Sequence, residues 1–159
     1  MKAMRKATRQ KDADWAYNVF DKAPYITVSM TRPDGTPYGL PLSLVRKGDT
    51  FYFHCAAEGE KIECLKSCPI VSLSAVSKCT PKYEEDKQNF TEYYNSAVAI
   101  GRAETVSSDE EKTEALRLLC QRFLPCHMEH FDDAIARSLS RTTVIKIQLT
   151  EPPLGKSKP

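Results

Sequence analysis

The 159-residue chain lacks an apolar stretch at its start: Met1 to Lys11 is polar, with no segment resembling the core of a secretory signal. No window approaches the roughly 20 apolar residues that a membrane-spanning helix requires. Charge of either sign is not in excess: 23 basic against 21 acidic side chains leave +2 at pH 7. The chain as a whole therefore gives no electrostatic reason to expect nucleic acid or a membrane as partner. It has no internal repeat, no low-complexity segment, no CxxC pair and no GxGxxG fingerprint after a strand. These absences point to one cytoplasmic domain over 1–159, with a solvated basic arm over 1–11 and a mobile tail over 152–159. Six cysteines would suit a disulfide framework in a small secreted chain. With no signal, and with enough residues to build a core, reduced thiols are expected.

What is present reads as short strands with a few helices. Asp12 to Lys22 predicts a helix that buries Trp15, Val19 and Phe20, with Asp12 or Asp14 as N-cap. Tyr25 to Thr31 predicts a strand, and Pro33-Asp34-Gly35 a turn. Tyr38 to Val45 is a second strand, in which Pro41 removes a ladder donor and belongs at an edge or bulge. Thr50 to Cys55 is a third, followed by a helix over Glu58 to Ser67 and a fourth strand over Ile70 to Ser77. Cys79 to Asn89 reads as a polar loop. Tyr93 to Val106 is a fifth strand, with Gly101 marking a bulge or bend. Ser108 and Glu111 form a capping box for a helix whose stripe is Ala115, Leu116, Leu119, Cys120 and Phe123, a core or dimer contact. Phe131 to Leu139 is a further helix and Thr142 to Leu149 the last strand. Six strands in hairpin order, without βαβ alternation, predict a mainly β domain: an antiparallel barrel with helices packed outside.

The densest chemistry lies in FYFHCAAEGEKIECLKSCP, Phe51 to Pro69. A strand ends in His54 and Cys55, and a small-residue link leads into a helix carrying Lys61 in its first turn. Free N–H groups at a helix start, a flexible Gly59 and a cationic Lys61 suit an anion such as phosphate. Glu58 and Glu60 oppose it, as ordinary helix-stabilising acids at the same end. His54 and Cys55 are adjacent on a strand and point to opposite faces, so they do not form a nucleophilic pair. Cys120, Cys126, His127 and His130, with Cys64 and Cys68 one helical turn apart, carry donors that zinc favours, but not at a finger spacing. Packing as small apolar groups is the better account of these cysteines, and no metal site is assigned.

The segments APYITVSM (Ala23 to Met30), PYGLPLSLV (Pro37 to Val45), FYFHCAAEGEKIECLKSCP, YYNSAVAIGRAETV (Tyr93 to Val106) and SLSRTTVIKI (Ser138 to Ile147) occur in this order. Together they resemble the pyridoxamine 5′-phosphate oxidase-like flavoproteins, nearest to the nitroimidazole-resistance (Nim-type) group. The resemblance implies a six-stranded split β-barrel that forms a homodimer and binds FMN at the interface. It places Lys61 on the phosphate, with Cys55 where relatives often carry a phosphate-contacting threonine. Pro41, Leu42, Ser43 and Val45 fall along the isoalloxazine and ribityl chain. His54 lies near the flavin as the catalytic candidate, and Ser96 stands where the oxidases carry a ribityl-contacting glutamine. Glu60 stands where the oxidases have a second phosphate-binding arginine, which disfavours pyridoxamine phosphate as substrate. Arg46, or Arg102 of the partner subunit, could then reach in to balance the phosphate.

The resemblance implies an oxidoreductase that moves electrons from a reduced nicotinamide or similar donor to a small acceptor, for a Nim-type activity a nitroaromatic. The alternative from the same resemblance is a non-catalytic carrier of flavin, haem or deazaflavin. FMN is expected rather than FAD because the family site ends at the monophosphate.

Overall fold

The structure is a computed structural model that describes residues 5–158. One antiparallel sheet carries the fold. Its strands are β1 (Gln10–Lys11), β2 (Ile26–Thr31), β3 (Pro37–Leu42), β4 (Val45–Lys47), β5 (Thr50–Cys55), β6 (Ile70–Glu84), β7 (Asn89–Thr105), β8 (Thr143–Leu149) and β9 (Leu154–Lys158). The helices are α1 (Ala13–Lys22), α2 (Glu60–Ser67), α3 (Asp109–Phe123) and α4 (Phe131–Ser138). The main path runs β3-β2-β6-β7-β8-β5-β4, with β9 added along β7 and β1 along β9. This is a split barrel with helices on its outside, with nine strands among the described residues where six are expected.

Strand alternation builds two cores. Inward residues of β2, β5, β6, β7 and β8, such as Val28, Phe51, Phe53, Leu73, Ala99 and Ile147, fill the barrel with α1 as its plug. Asp12 caps α1, its Oδ1 accepting from the Trp15 N–H at 2.9 Å. The opposite faces of β4, β5 and β8 present Val45, Tyr52 and Val144 to α3 and α4, forming a second core with Leu116, Leu119 and Phe131. Ser108 caps α3 by accepting from the Glu111 N–H at 3.3 Å.

Several expectations are corrected. The strand expected over Tyr38 to Val45 is two strands: it breaks at Ser43–Leu44, where the Leu44 carbonyl accepts from Arg122 on α3 at 2.9 Å instead of from a neighbouring strand. Pro41 does lie on an edge, since β3 ends the sheet. Cys79 to Asn89 is no loop. It continues β6 into a two-stranded ribbon with β7, turned by Gln88 at φ 46°. Both faces of that ribbon are open to solvent, so it carries no hydrophobic alternation. Gly101 marks no bulge; the register shift falls between Val76 and Lys78. Gly101 is instead a close approach, because a Cβ there would stand 2.5 Å from Ile147 Cγ2 and 2.9 Å from the Gln148 carbonyl oxygen.

The tail is not a free end either. Leu154–Lys158 pairs with both β7 and β1, and the Ser157 hydroxyl donates to Asn95 Oδ1 at 2.8 Å. Gly155 lets this strand lie against Trp15, whose Cδ1 would be 2.5 Å from a Cβ at that position. Trp15 is thus packed beneath β9. In the described part of the basic arm a short helical turn over Ala7–Arg9 leads into β1. Its first residues, including Lys2, and Pro159 at the far end lie outside the described residues. No described helix is long and apolar enough to cross a membrane.

Candidate functional site

The residues singled out in the sequence fall into three neighbouring places. The first is the start of α2. Its N-cap is Gly59 at φ 114°, a backbone conformation that side chains resist, and a glycine supplies no capping oxygen of its own. The Gly59 carbonyl accepts from the N–H groups of Ile62 and Glu63, at 2.9 and 3.2 Å. The first two helical N–H groups, of Glu60 and Lys61, precede the intrahelical ladder and point outward from the helix end. Lys61 is half-buried, with Nζ 5.2 Å from the centre of the Phe53 ring. It also lies beside Cys55: burial pushes that thiol's pKa up, and the Lys61 charge opposes the rise.

Arg32, which sequence reasoning passed over, completes this end. Its Nε donates to Glu60 Oε1 at 2.5 Å, its Nη1 donates to the Pro37 carbonyl at 3.0 Å, and its guanidinium lies 4.7 Å from the centre of the Tyr38 ring. The Glu60 carboxylate raises its pKa further. A second cation therefore does stand at the start of α2, supplied by the β2–β3 turn. Its only signal in the sequence is a basic residue before the Pro33-Asp34-Gly35 turn. Arg46 is engaged elsewhere: both prongs of its guanidinium meet Asp21 on α1, and it lies 4.4 Å from the centre of the Tyr17 ring.

The second place is the outward face of the sheet. Pro41, directly opposite Thr27, and Ser96, directly opposite Val76, both lie on it. This face carries small side chains at Ser29 and Ser74 and an exposed Val98, with Lys156 directly opposite Ser96. Leu42 turns inward against the barrel core. Val45 is buried against α3, so any contact it makes with a flat cofactor runs through its backbone.

The third place is a cavity of about 590 Å³ between β5, α3 and α4. Ser43 and His54 form one wall and Leu116, Leu119, Phe123 and Ile135 much of the other. All three histidines of the chain, His54, His127 and His130, line it together with Cys120, and no acidic side chain does. His127 and His130 were expected as metal ligands at most. Here they belong to the same cavity as His54, which their spacing in the chain does not reveal. Cys126 is exposed outside the lining and Cys64 is in the barrel core. Among the described residues no group of three or more His, Cys, Asp or Glu is disposed to hold a metal ion, and all six cysteines are unpaired.

Strand β3 links the first place to the third. From Pro37, where Arg32 is bound, to Pro41 is about 13 Å at the usual strand rise, and Ser43 in the cavity wall follows at once. A phosphate-tailed flat molecule is matched in length by that path: cations and free N–H groups at one end, a mostly apolar cavity with imidazoles at the other.

The sequence model for pyridoxamine 5′-phosphate oxidase matches residues 12–153. The chain belongs to this family. No curated protein sequence matches it. Among solved structures, a candidate 5-nitroimidazole antibiotic resistance protein from Bacteroides thetaiotaomicron superposes with a TM-score of 0.79 at 24% identity, covering 93% of this chain and 88% of that one. The flavocytochrome Anf3 from Azotobacter vinelandii gives 0.84 at 22% identity, over 99% of this chain and 72% of that one. An FAD and heme binding protein from Mycobacterium smegmatis gives 0.78 at 21% identity, over 94% and 73%. At these identities the likeness is one of fold, and the split barrel with outer helices is what the family shares with this chain.

Proposed function

We propose that this member of the family binds FMN and works as an oxidoreductase, moving electrons from a reduced nicotinamide or similar donor to a small acceptor such as a nitroaromatic. One observation carries the reading: Lys61 and Arg32, the latter through Glu60, both stand at the start of α2, where Arg32 also meets the first residue of β3, and the imidazole-lined cavity opens at the other end of β3. Lys61 and Arg32 hold the phosphate, with Cys55 beside them. Pro41, Leu42, Ser43 and the backbone of Val45 follow the ring and its chain, and Ser96 contacts the chain from β7. When bound, the flavin supplies the redox chemistry. His54 is exposed on the cavity wall, where its imidazole can give a hydrogen bond or a proton to an acceptor lying against the ring. The outer face around Ser29, Ser74 and Val98, small and away from Lys156, suits close contact with a second copy of the chain, which would complete two equivalent sites.

The test is an absorption spectrum of the purified protein before and after addition of FMN. Two visible flavin bands retained through gel filtration, and lost in Lys61→Ala, are expected. A colourless protein that takes up no FMN overturns the assignment, and retention in Lys61→Ala equal to the parent removes Lys61 from the seat.

Haem is the second candidate, favoured by the gathering of His54, His127 and His130 on one apolar cavity. Two of the similar structures are a flavocytochrome and an FAD and heme binding protein. Neutral imidazole is a common haem ligand. A sharp Soret band on adding haemin, abolished by His54→Ala or by replacing both His127 and His130, would favour it over a cavity reserved for the acceptor.

A further inference from the structure

The described part of the basic arm builds a recess that the flavin assignment does not use. Arg5, Lys6 and Arg9, around the Ala7–Arg9 turn, and Lys156 on β9 enclose about 290 Å³, and no acidic side chain lines it. The chain carries a formal net charge of only +2, so four cations around one hollow are a local concentration and not a reflection of a basic protein. Strand register fixes the position of this hollow. Lys156 sits directly between Gln10 on β1 and Ser96 on β7, in a row that continues to Val76 on β6. Directly paired residues on one face have Cβ atoms about 5 Å apart, so Lys156 is the immediate neighbour of the candidate flavin contact Ser96.

Tyr94, two residues before Ser96, joins the recess to the sheet. The Lys156 ammonium lies 5.4 Å from the centre of its ring. Partial burial raises the Tyr94 pKa, but hydrogen bonds and charge from Lys156 and Arg9 outweigh this and lower it.

We propose that this recess binds the adenosine-phosphate half of a dinucleotide. The charge count suits a group bearing two or more negative charges, and the volume exceeds what a bare phosphate would fill. The choice of a dinucleotide rests on the flavin assignment; the anion site itself does not. Two sources share this chemistry: the 2′-phosphate end of NADPH, approaching a flavin held beside Ser96, and the adenosine diphosphate half of FAD, whose flavin would occupy the same face. The strength of each charged contact falls with added salt.

Calorimetric titration of the full chain with 2′,5′-ADP, 5′-AMP and inorganic phosphate, in the parent and in Lys156→Gln and Arg9→Gln, tests this. Binding of an adenosine phosphate that weakens about tenfold or more in each variant, as expected for loss of a charge-assisted hydrogen bond, supports the recess. Preference for 2′,5′-ADP over 5′-AMP assigns it to NADPH. Equal binding of the two, with FAD retained better than FMN, assigns it to FAD. Failure of both nucleotides to bind at millimolar concentration, indifference to both replacements, or inorganic phosphate binding as tightly as either nucleotide overturns the proposal. FMN uptake is read in the same samples. Nucleotide binding without FMN uptake would sink the flavin assignment and leave the recess standing, and the reverse result would do the opposite.

Discussion

The two faces of β5 are built from alternate residues of one six-residue strand and serve different ends. Phe51, Phe53 and Cys55 point into the barrel, where the first two are buried completely and Phe51 meets Phe20 edge-on at 5.1 Å. Tyr52 and His54 point the other way, toward α3 and α4, and there burial stops partway: Tyr52 is covered, His54 is not. The barrel face is closed and gives the strand its position. The helical face is left open over its last residue, and the cavity lies there. On the proposed reading, the cofactor is held from one side of this strand and meets its acceptor on the other.

Neighbouring substitutions break that pair most sharply. Phe53→Ala leaves a hole in a closed core and is expected to cost about 3–5 kcal/mol. His54→Ala, one residue on, removes an exposed side chain and should stay within about 0.5 kcal/mol, while altering turnover or the spectrum of the bound cofactor. Denaturant unfolding of both variants checks this. A large loss of stability in His54→Ala would mean that the cavity wall is a packing surface and not a working one.

The difference between the faces also decides what could be read from the sequence. Where one face is buried, alternation identifies the strand: Thr50–Cys55 was expected and is found to the residue. Where neither face is buried, the signal disappears, and the ribbon of β6 and β7 beyond Val76 reads as loop because every side chain of Lys78 to Tyr83 is exposed. The terminal strand β9 was lost for another reason. Its composition is that of a polar tail, and its order comes from partners distant in sequence, Trp15 and Asn95, which no local pattern announces. The same holds at the site. Lys61, His54 and Ser43 were singled out because one resemblance covers them, Lys61 also from its place in the first turn of a helix. Arg32 and the gathering of His127 and His130 around His54 depend on turns and helices folding back, so only the coordinates bring them together. Arg122 belongs with them: it ties α3 to the carbonyls of Phe20, Ala23 and Leu44, and nothing in its surroundings in the chain marks it.

The phosphate end of the site allows a second, smaller test, because it contains a charge of the wrong sign. Glu60 is bound to Arg32, so the carboxylate both repels a phosphate and occupies a cation that could meet it. Glu60→Gln should free Arg32 and raise FMN affinity about fivefold, or about 1 kcal/mol, the scale of one unit charge a few ångströms away in water-rich surroundings. The pair is partly exposed, so stability should change little. Fluorescence titration with FMN measures the change. A fall in affinity would show instead that Glu60 is what holds Arg32 in place for the phosphate.

The helical face of β5 can be sharpened further by titrating it. Tyr52 is two residues from His54 on the same face. Burial, a hydrogen bond donated to Glu111 at 3.1 Å and the negative charge of Glu111 and Glu114 push its pKa from 10.0 up to about 12. Tyr17, buried in part and hydrogen-bonded to Asp49, also rises to about 12. A raised pKa means that the folded protein holds the phenolic proton more tightly than the unfolded chain does. The stability this contributes is complete below pH 10 and is lost as pH rises through about 12. Of the seven tyrosines, Tyr17, Tyr52 and Tyr93, the last raised by its hydrogen bond to Glu84, should therefore form phenolate late, Tyr94 should do so early, and Tyr52→Phe should remove one late step and flatten the alkaline fall in stability. If all the phenols ionise together, Tyr52 is not sealed beneath α3, and the closed part of that face ends earlier along β5 than the packing indicates.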